Sequence, residues 1–318
     1  MRLFLIKILL FTILLTVSAF VFDNILKKGY RKSNATDFQE WNAIFDSKIN
    51  SDLIINGSSR AWVQISPRIL DSLLNVNSYN FGMDGYPFNM QYIRYKIYEK
   101  YNQKPRLIIQ IADLNTLQRS ITPYNESQFF PYLHEPFLAK ELKKMEGFSS
   151  LNFYIPAFCY HFNFGRICIG LVEFFGIKHI RNDKYKGYLG QNKKWDATDL
   201  EKVLSGDSLV SEINPEIVQE FDSLLNHCKG NHIQVVMVFP PEYIKATEFT
   251  KNKQEVIDIY HSFSKKYDFP FLDYSTDSLC YDTTYFYNAM HLNKTGAEIF
   301  STKLAHDIGS LGILKKNF

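Results

Sequence analysis

Four cysteines are spread over the 318 residues, Cys159, Cys168, Cys228 and Cys280, and no two stand in CxxC spacing. A zinc site is therefore not indicated, and no other metal or cofactor is implied. Cys159 and Cys168 are close enough in sequence to pair in an oxidising compartment; buried free thiols are the alternative, and the favoured one. No cysteine follows the apolar N-terminal run at the distance of a bacterial lipid anchor. Neither sign of charge dominates, with 36 basic residues against 33 acidic ones and a net charge of +3. Without a basic stripe, nucleic acid is not an expected partner. Internal repeats and low-complexity tracts are also missing.

Apolar side chains are plentiful, at 46% of the chain, so a sizeable core is available and a disordered chain is excluded. Among them are 27 Phe and 20 Tyr. Most are expected in the core, with a Tyr-lined surface for sugars as the sharper alternative.

Leu3 to Phe22 is a largely apolar run in which only Lys7 is charged. As a helix it would span about 30 Å, the thickness of a bilayer's hydrocarbon core. Lys7 lies near one end and can snorkel to the interface. A cleaved signal peptide would use Arg2 and Lys7 as its basic start and Val17-Ser18-Ala19 as its cleavage site. The length of the run favours a retained anchor. Lys27, Lys28, Arg31 and Lys32 follow it, which opposes a simple positive-inside assignment. The expected organisation is an anchor over 1–24, a juxtamembrane stalk over 25–50 and one domain over 51–318.

Within that domain, short apolar runs alternate with helical spacing. Strands are expected at 52–57, 76–81, 106–111, 233–239 and 271–273. Helices are expected at 61–74, 90–101, 216–228, 252–267 and 296–308. Apolar strands without alternation, each followed by a helix, predict an α/β fold: a parallel sheet covered on both faces, a three-layer α/β/α sandwich. Ligands bind such sheets beyond the carboxyl ends of the strands. Ser59, Gly82 and Asn115 all fall at such ends. Residues 119–200 break the rhythm and read as a helical and loop insertion, a lid over the strand ends.

Asn56-Gly57-Ser58-Ser59-Arg60 lies at a strand-to-helix turn. Ser59 there is either a helix cap or a nucleophile beside backbone N–H groups able to hold an oxyanion. Near the C-terminus the chain reads Asn288-Ala289-Met290-His291-Leu292-Asn293-Lys294-Thr295-Gly296. His291 is expected on a loop before the last helix, placed to project its imidazole.

These blocks resemble those of the SGNH (GDSL-type) hydrolase and acyltransferase superfamily. The resemblance covers about residues 52 to 310, with the insertion unmatched. Gly57-Ser58-Ser59 is similar to the family's Gly-x-Ser block, which implies Ser59 as nucleophile; Ser58 stands where Asp is usual. Asn80-Phe81-Gly82 implies Gly82 as an oxyanion donor alongside the Ser59 N–H. Ala112-Asp113-Leu114-Asn115 departs from Gly-x-Asn-Asp and nominates Asn115 as a third donor. The last block, normally Asp-x-x-His, keeps His291 and replaces the Asp by Asn288. In a serine protease triad, replacing Asp by Asn lowers kcat by about 10⁴. Three outcomes stay open. Asn288 orients His291 as a neutral partner, another acid (Asp282, Asp277 or Asp84) takes the role, or the site is inert.

The resemblance implies a serine esterase or O-acyltransferase acting on acyl, chiefly acetyl, esters of a cell-envelope glycan on the extracytoplasmic side of the membrane. A membrane-bound acyltransferase is the implied protein partner. Trp195, in the insertion, is expected to fill the core, with stacking on a sugar as the alternative. The rival reading is a catalytically silent binding or assembly subunit of a membrane glycan-modifying complex.

Overall fold

The computed structural model describes residues 1–35, 38–161, 164–177, 184–206 and 208–314. Parts of the expected insertion, 162–163 and 178–183, lie outside the described residues. The chain divides into two compact units, Met1–Asp46 with Ile121–Asn182 and Ser47–Ser120 with Asp183–Phe318.

The second unit is built on five strands: β1 (Leu53–Asn56), β2 (Ser78–Asn80), β3 (Leu107–Ile111), β4 (Gln234–Phe239) and β5 (Phe271–Asp273). All pair in parallel, in the order β2-β1-β3-β4-β5. Ile54 lies opposite Ile108 and Ile108 opposite Val235, and all three are fully buried. Helices on both faces explain why these strands carry apolar residues at successive positions. On one face Leu53, Ile55, Ile109 and Val236 pack with Ala61, Leu70, Phe300 and Leu304 of the helices at Ser59–Gln64, Pro67–Leu74 and Lys294–Ser310. On the other lie the helices Phe88–Tyr101, Pro215–Gly230 and Lys253–Tyr267, joined by ring contacts Phe88–Phe221 and Phe221–Tyr260. The three-layer α/β/α sandwich expected from the sequence is the observed architecture.

One expected helix is two. The run 61–74 breaks after Gln64, with Ile65 and Ser66 extended before Pro67 starts a new helix. Proline excludes the helical conformation from the residue before it and suits a helix's first position.

The first unit is helical. Arg2–Lys32 is a single helix of 31 residues, long and apolar enough to cross a membrane, with its side chains from Leu3 to Leu15 exposed. Of residues 25–50, expected as a stalk, 25–35 and 38–46 are instead folded into this unit. Leu26, Gly29 and Tyr30 are buried, and Gly29 lies so close to Gly170 of the helix Phe164–Phe175 that a Cβ would sit 1.8 Å from its carbonyl oxygen. Asn42 donates to the Tyr30 and Ser33 carbonyls, and Trp41 to Gln128. Cys159 is a buried free thiol and Cys168 an exposed one, so neither the disulfide nor the burial expected of Cys168 is present. Residues 184–200, counted with the insertion on sequence grounds, belong to the sheet unit.

Candidate active site

Three strand ends meet at one buried cation. Arg60 follows Ser59 at the start of the first helix, and its Nη1 lies 2.8 Å from Asp113 Oδ2, just beyond β3, and 2.5 Å from Glu242 Oε1, just beyond β4. All three side chains are at most 4% exposed. Burial pushes the Glu242 carboxyl up to about 7, Arg60 pulling against it and the Asp113 charge adding to it. Asp113 also accepts from the Asn115 N–H (2.8 Å) and from Thr116 Oγ1 (3.1 Å), and Tyr260 donates its hydroxyl to the Asp113 carbonyl. The turn carrying the serine is thus clamped to the loop carrying Asn115.

Gly57 serves this packing rather than a left-handed turn. Its φ is not positive, but a Cβ there would lie 2.5 Å from Ile111 Cγ1 and 2.7 Å from Ala61 Cβ. Only glycine lets β1 run this close to β3 and the following helix. Below it, buried Asn56 donates to Gln110, which donates in turn to Gln91.

The helix cap is Ser58, not Ser59, and no side chain caps this helix. Ser59 occupies the first helical position and turns its hydroxyl to His291 instead, with Oγ 2.8 Å from Nε2. The two residues are 232 apart in sequence. His291 is not on a loop: strands Phe286–Asn288 and His291–Leu292 form a short antiparallel hairpin that sets Asn288 opposite His291. Asn288 Oδ1 lies 2.9 Å from His291 Nδ1 and also accepts the Met290 N–H. An oxygen that only accepts requires a hydrogen on Nδ1, so the Nε2 lone pair faces the serine hydroxyl. That is the tautomer of a general base.

The rest of the C-terminal block holds the hairpin. Asn293 caps the last helix by accepting from Gly296 N–H and ties back to the Thr284 carbonyl, while a Cβ on Gly296 would meet the Tyr285 carbonyl at 2.3 Å. Gln64 Nε2 donates to the Met290 carbonyl, joining the hairpin turn to the serine's own helix. The Tyr287 ring stacks on the His291 imidazole at 5.3 Å. Burial first, then the Arg60 and Lys193 charges, pushes the imidazole down to about 3.

The remaining candidates divide. Asn115 lines the same cleft as Ser59, with its side chain exposed there. Gly82 corrects the expectation of an oxyanion donor, because its N–H is given to Asn80 Oδ1 at 2.7 Å. Its lack of a side chain answers to packing, since a Cβ would sit 2.1 Å from Trp62 N. Asn80 is the residue that sequence reasoning missed here: it also donates to the Ala61 and Ile65 carbonyls, closing the end of the serine's helix. The acids weighed as substitutes for the triad Asp are placed elsewhere. Asp282 and Asp277 cap short helical turns, and exposed Asp84 acts on Tyr287. The neutral partner, Asn288, is the one at His291. Trp195 packs edge-on against Tyr243, a core role rather than a free stacking platform.

Removing the central cation should expose the cost of this arrangement. Arg60→Met leaves two buried carboxylates unpaired and is expected to destabilise the fold by about 3–5 kcal/mol, read in urea unfolding at pH 8. A loss under 1 kcal/mol would contradict the clamp.

The sequence matches no family model and no curated protein. Solved structures align with it at low similarity, among them two from Bacteroides species. An acylhydrolase candidate from Bacteroides fragilis is 11% identical, with 87% of this chain and 99% of that chain covered at a TM-score of 0.39. A GDSL-like lipase from Bacteroides thetaiotaomicron is 9% identical, with 86% and 99% covered at a TM-score of 0.38. In its parallel sheet, in a serine just beyond β1 and in a histidine before the last helix, the chain resembles the SGNH superfamily through its own structure.

Proposed function

We propose that the protein is a serine esterase or acyl-ester transferase in which Ser59 is the nucleophile and His291 the general base. The observation that carries this reading is the 2.8 Å contact between Ser59 Oγ and His291 Nε2, in the tautomer that Asn288 selects. His291 Nε2 takes the hydroxyl proton as Ser59 Oγ attacks the ester carbonyl. The tetrahedral oxyanion is held by the Ser59 N–H, which has no intrahelical partner at the first helical position, and by the Asn115 side-chain amide. Collapse breaks the bond to the alcohol oxygen, which leaves with the proton from His291. Water, or an acceptor hydroxyl in a transferase, then attacks the acyl-serine and gives its proton to His291, and Ser59 is regenerated.

The apolar N-terminal helix supports a membrane-anchored protein. We place the catalytic unit on the extracytoplasmic side, with acyl esters of an envelope glycan as substrate and a membrane-bound acyltransferase as partner. These finer points rest on the family resemblance. The silent-subunit reading draws on one observation: an imidazole pushed down to about 3 is a weak base.

Hydrolysis of p-nitrophenyl esters decides between these readings. Ser59→Ala and His291→Ala should each lower kcat by at least about 10³ while leaving the unfolding temperature near that of wild type. A Ser59→Ala protein with full activity would refute the mechanism, and a wild type with no activity would favour the silent subunit.

The pH profile tests the role of Asn288. A depressed histidine pKa keeps the base neutral as pH falls, so kcat/KM should stay flat from pH 8 to about pH 5. Asn288→Asp places a carboxylate on Nδ1, favours the imidazolium and should move the acid limb to higher pH while raising kcat at pH 8. An acid limb near 6.5 in wild type, or no movement in the variant, would contradict this electrostatic account.

A further inference from the structure

Two cavities open at these strand ends, one lined by Ser59 and the other by its neighbour Arg60, and they differ in chemistry. The first, about 320 Å³, is lined mainly by apolar surface from Leu114, Leu200, Val203, Leu209, Ala246 and Met290, with Asp199, Ser211 and Thr250 among its polar lining. Met290 adjoins His291, and the cavity closes on the mutually neutralising pair Arg60 and Glu242. The second, about 250 Å³, contains Ser59 and is lined by polar side chains including Ser58, Gln91, Thr116 and Arg119. Asn115 and Gln118 line both, so the cavities share one wall. Gln118 Nε2 donates to Asn115 Oδ1 at 3.0 Å, which fixes that wall.

The apolar side is a built surface. Leu209 bonds to the backbone of Phe249 and Lys251, and Ser211 to the side chain of Asn252, so the segment bearing Leu209 is pinned beside Ala246. Yet Leu209 stays 45% exposed and Met290 39% exposed at the cavity mouth. Apolar side chains held rigidly open to water gain most from an apolar ligand that covers them.

Building on the esterase reading, we propose that the apolar cavity binds the acyl chain of the substrate, and that the preferred acyl group is a straight chain of roughly eight carbons rather than acetyl. The polar cavity takes the hydroxylated alcohol or acceptor. The volume fits: 320 Å³ equals about ten water-sized volumes, and a methylene occupies about one. An acetyl group would leave most of this space as exposed apolar wall. Each methylene that enters it is worth roughly fourfold in binding.

The test compares kcat/KM for p-nitrophenyl acetate, butyrate and octanoate. Octanoate should exceed acetate by about tenfold or more. In Val203→Trp and in Ala246→Trp, each filling the cavity from a different helix, the octanoate-to-acetate ratio should fall by about tenfold or more. A profile that peaks at acetate, or a ratio unchanged in both folded variants, overturns the proposal. A second readout needs no turnover: octanoate should raise the unfolding temperature of Ser59→Ala protein, acetate should not, and Val203→Trp in that background should remove the effect. Octanoate binding without hydrolysis of any ester would sink the esterase reading and leave the acyl site standing. Hydrolysis with neither chain preference nor octanoate binding would sink the acyl site alone.

Discussion

The arrangement depends on a guanidinium buried where three strands end. Arg60 joins the turn after β1 to Asp113 beyond β3 and to Glu242 beyond β4. Placing charges in a dry interior is costly, and the ion pairs return that cost only while all partners are present. The strand ends are therefore held in one arrangement. Ser59 immediately precedes Arg60, so the clamp fixes the backbone from which the serine hydroxyl projects. The Asp113 carboxylate also fixes the loop of Asn115. One ion cluster thus sets the relation between the proposed nucleophile and the proposed oxyanion donor.

That choice has an electrostatic consequence. The same Arg60 charge, added to burial and to Lys193, disfavours a proton on His291. A triad Asp would oppose this, and Asn288 does not. Asn288 supplies direction without charge: it selects the tautomer and aims Nε2 at Ser59, but it leaves the imidazole a weak base. The geometry is the one the proposed nucleophilic mechanism needs, and the imidazole is a weak base. A site of this kind suits reactive esters, or an acyl donor presented by a partner, better than unactivated esters.

The sheet was legible because parallel strands buried on both faces must be apolar at successive positions, and Leu53-Ile54-Ile55 and Val235-Val236-Met237-Val238 carry that pattern. Ser59 and His291 were legible through short blocks whose glycines and asparagines have structural duties. Gly57 and Gly296 permit close approach, and Asn293 caps the last helix. What the blocks could not convey was which polar groups were already occupied. Gly82 stands in the expected place, yet Asn80 takes its N–H, a pairing set by how β2 approaches the serine's helix. Glu242 and Gln64 carry no local signal, because their partners are distant in sequence. The stalk and the insertion were misread for a related reason: Leu26 and Gly29 pack against Gly170, more than a hundred positions away.

The central claim is that Ser59 is a nucleophile activated by His291. The most direct measurement treats the whole protein with a fluorophosphonate and maps the modified peptide by mass spectrometry. The account predicts one adduct, on Ser59, that is lost in His291→Ala. An unmodified protein, or an adduct on another serine, would contradict it.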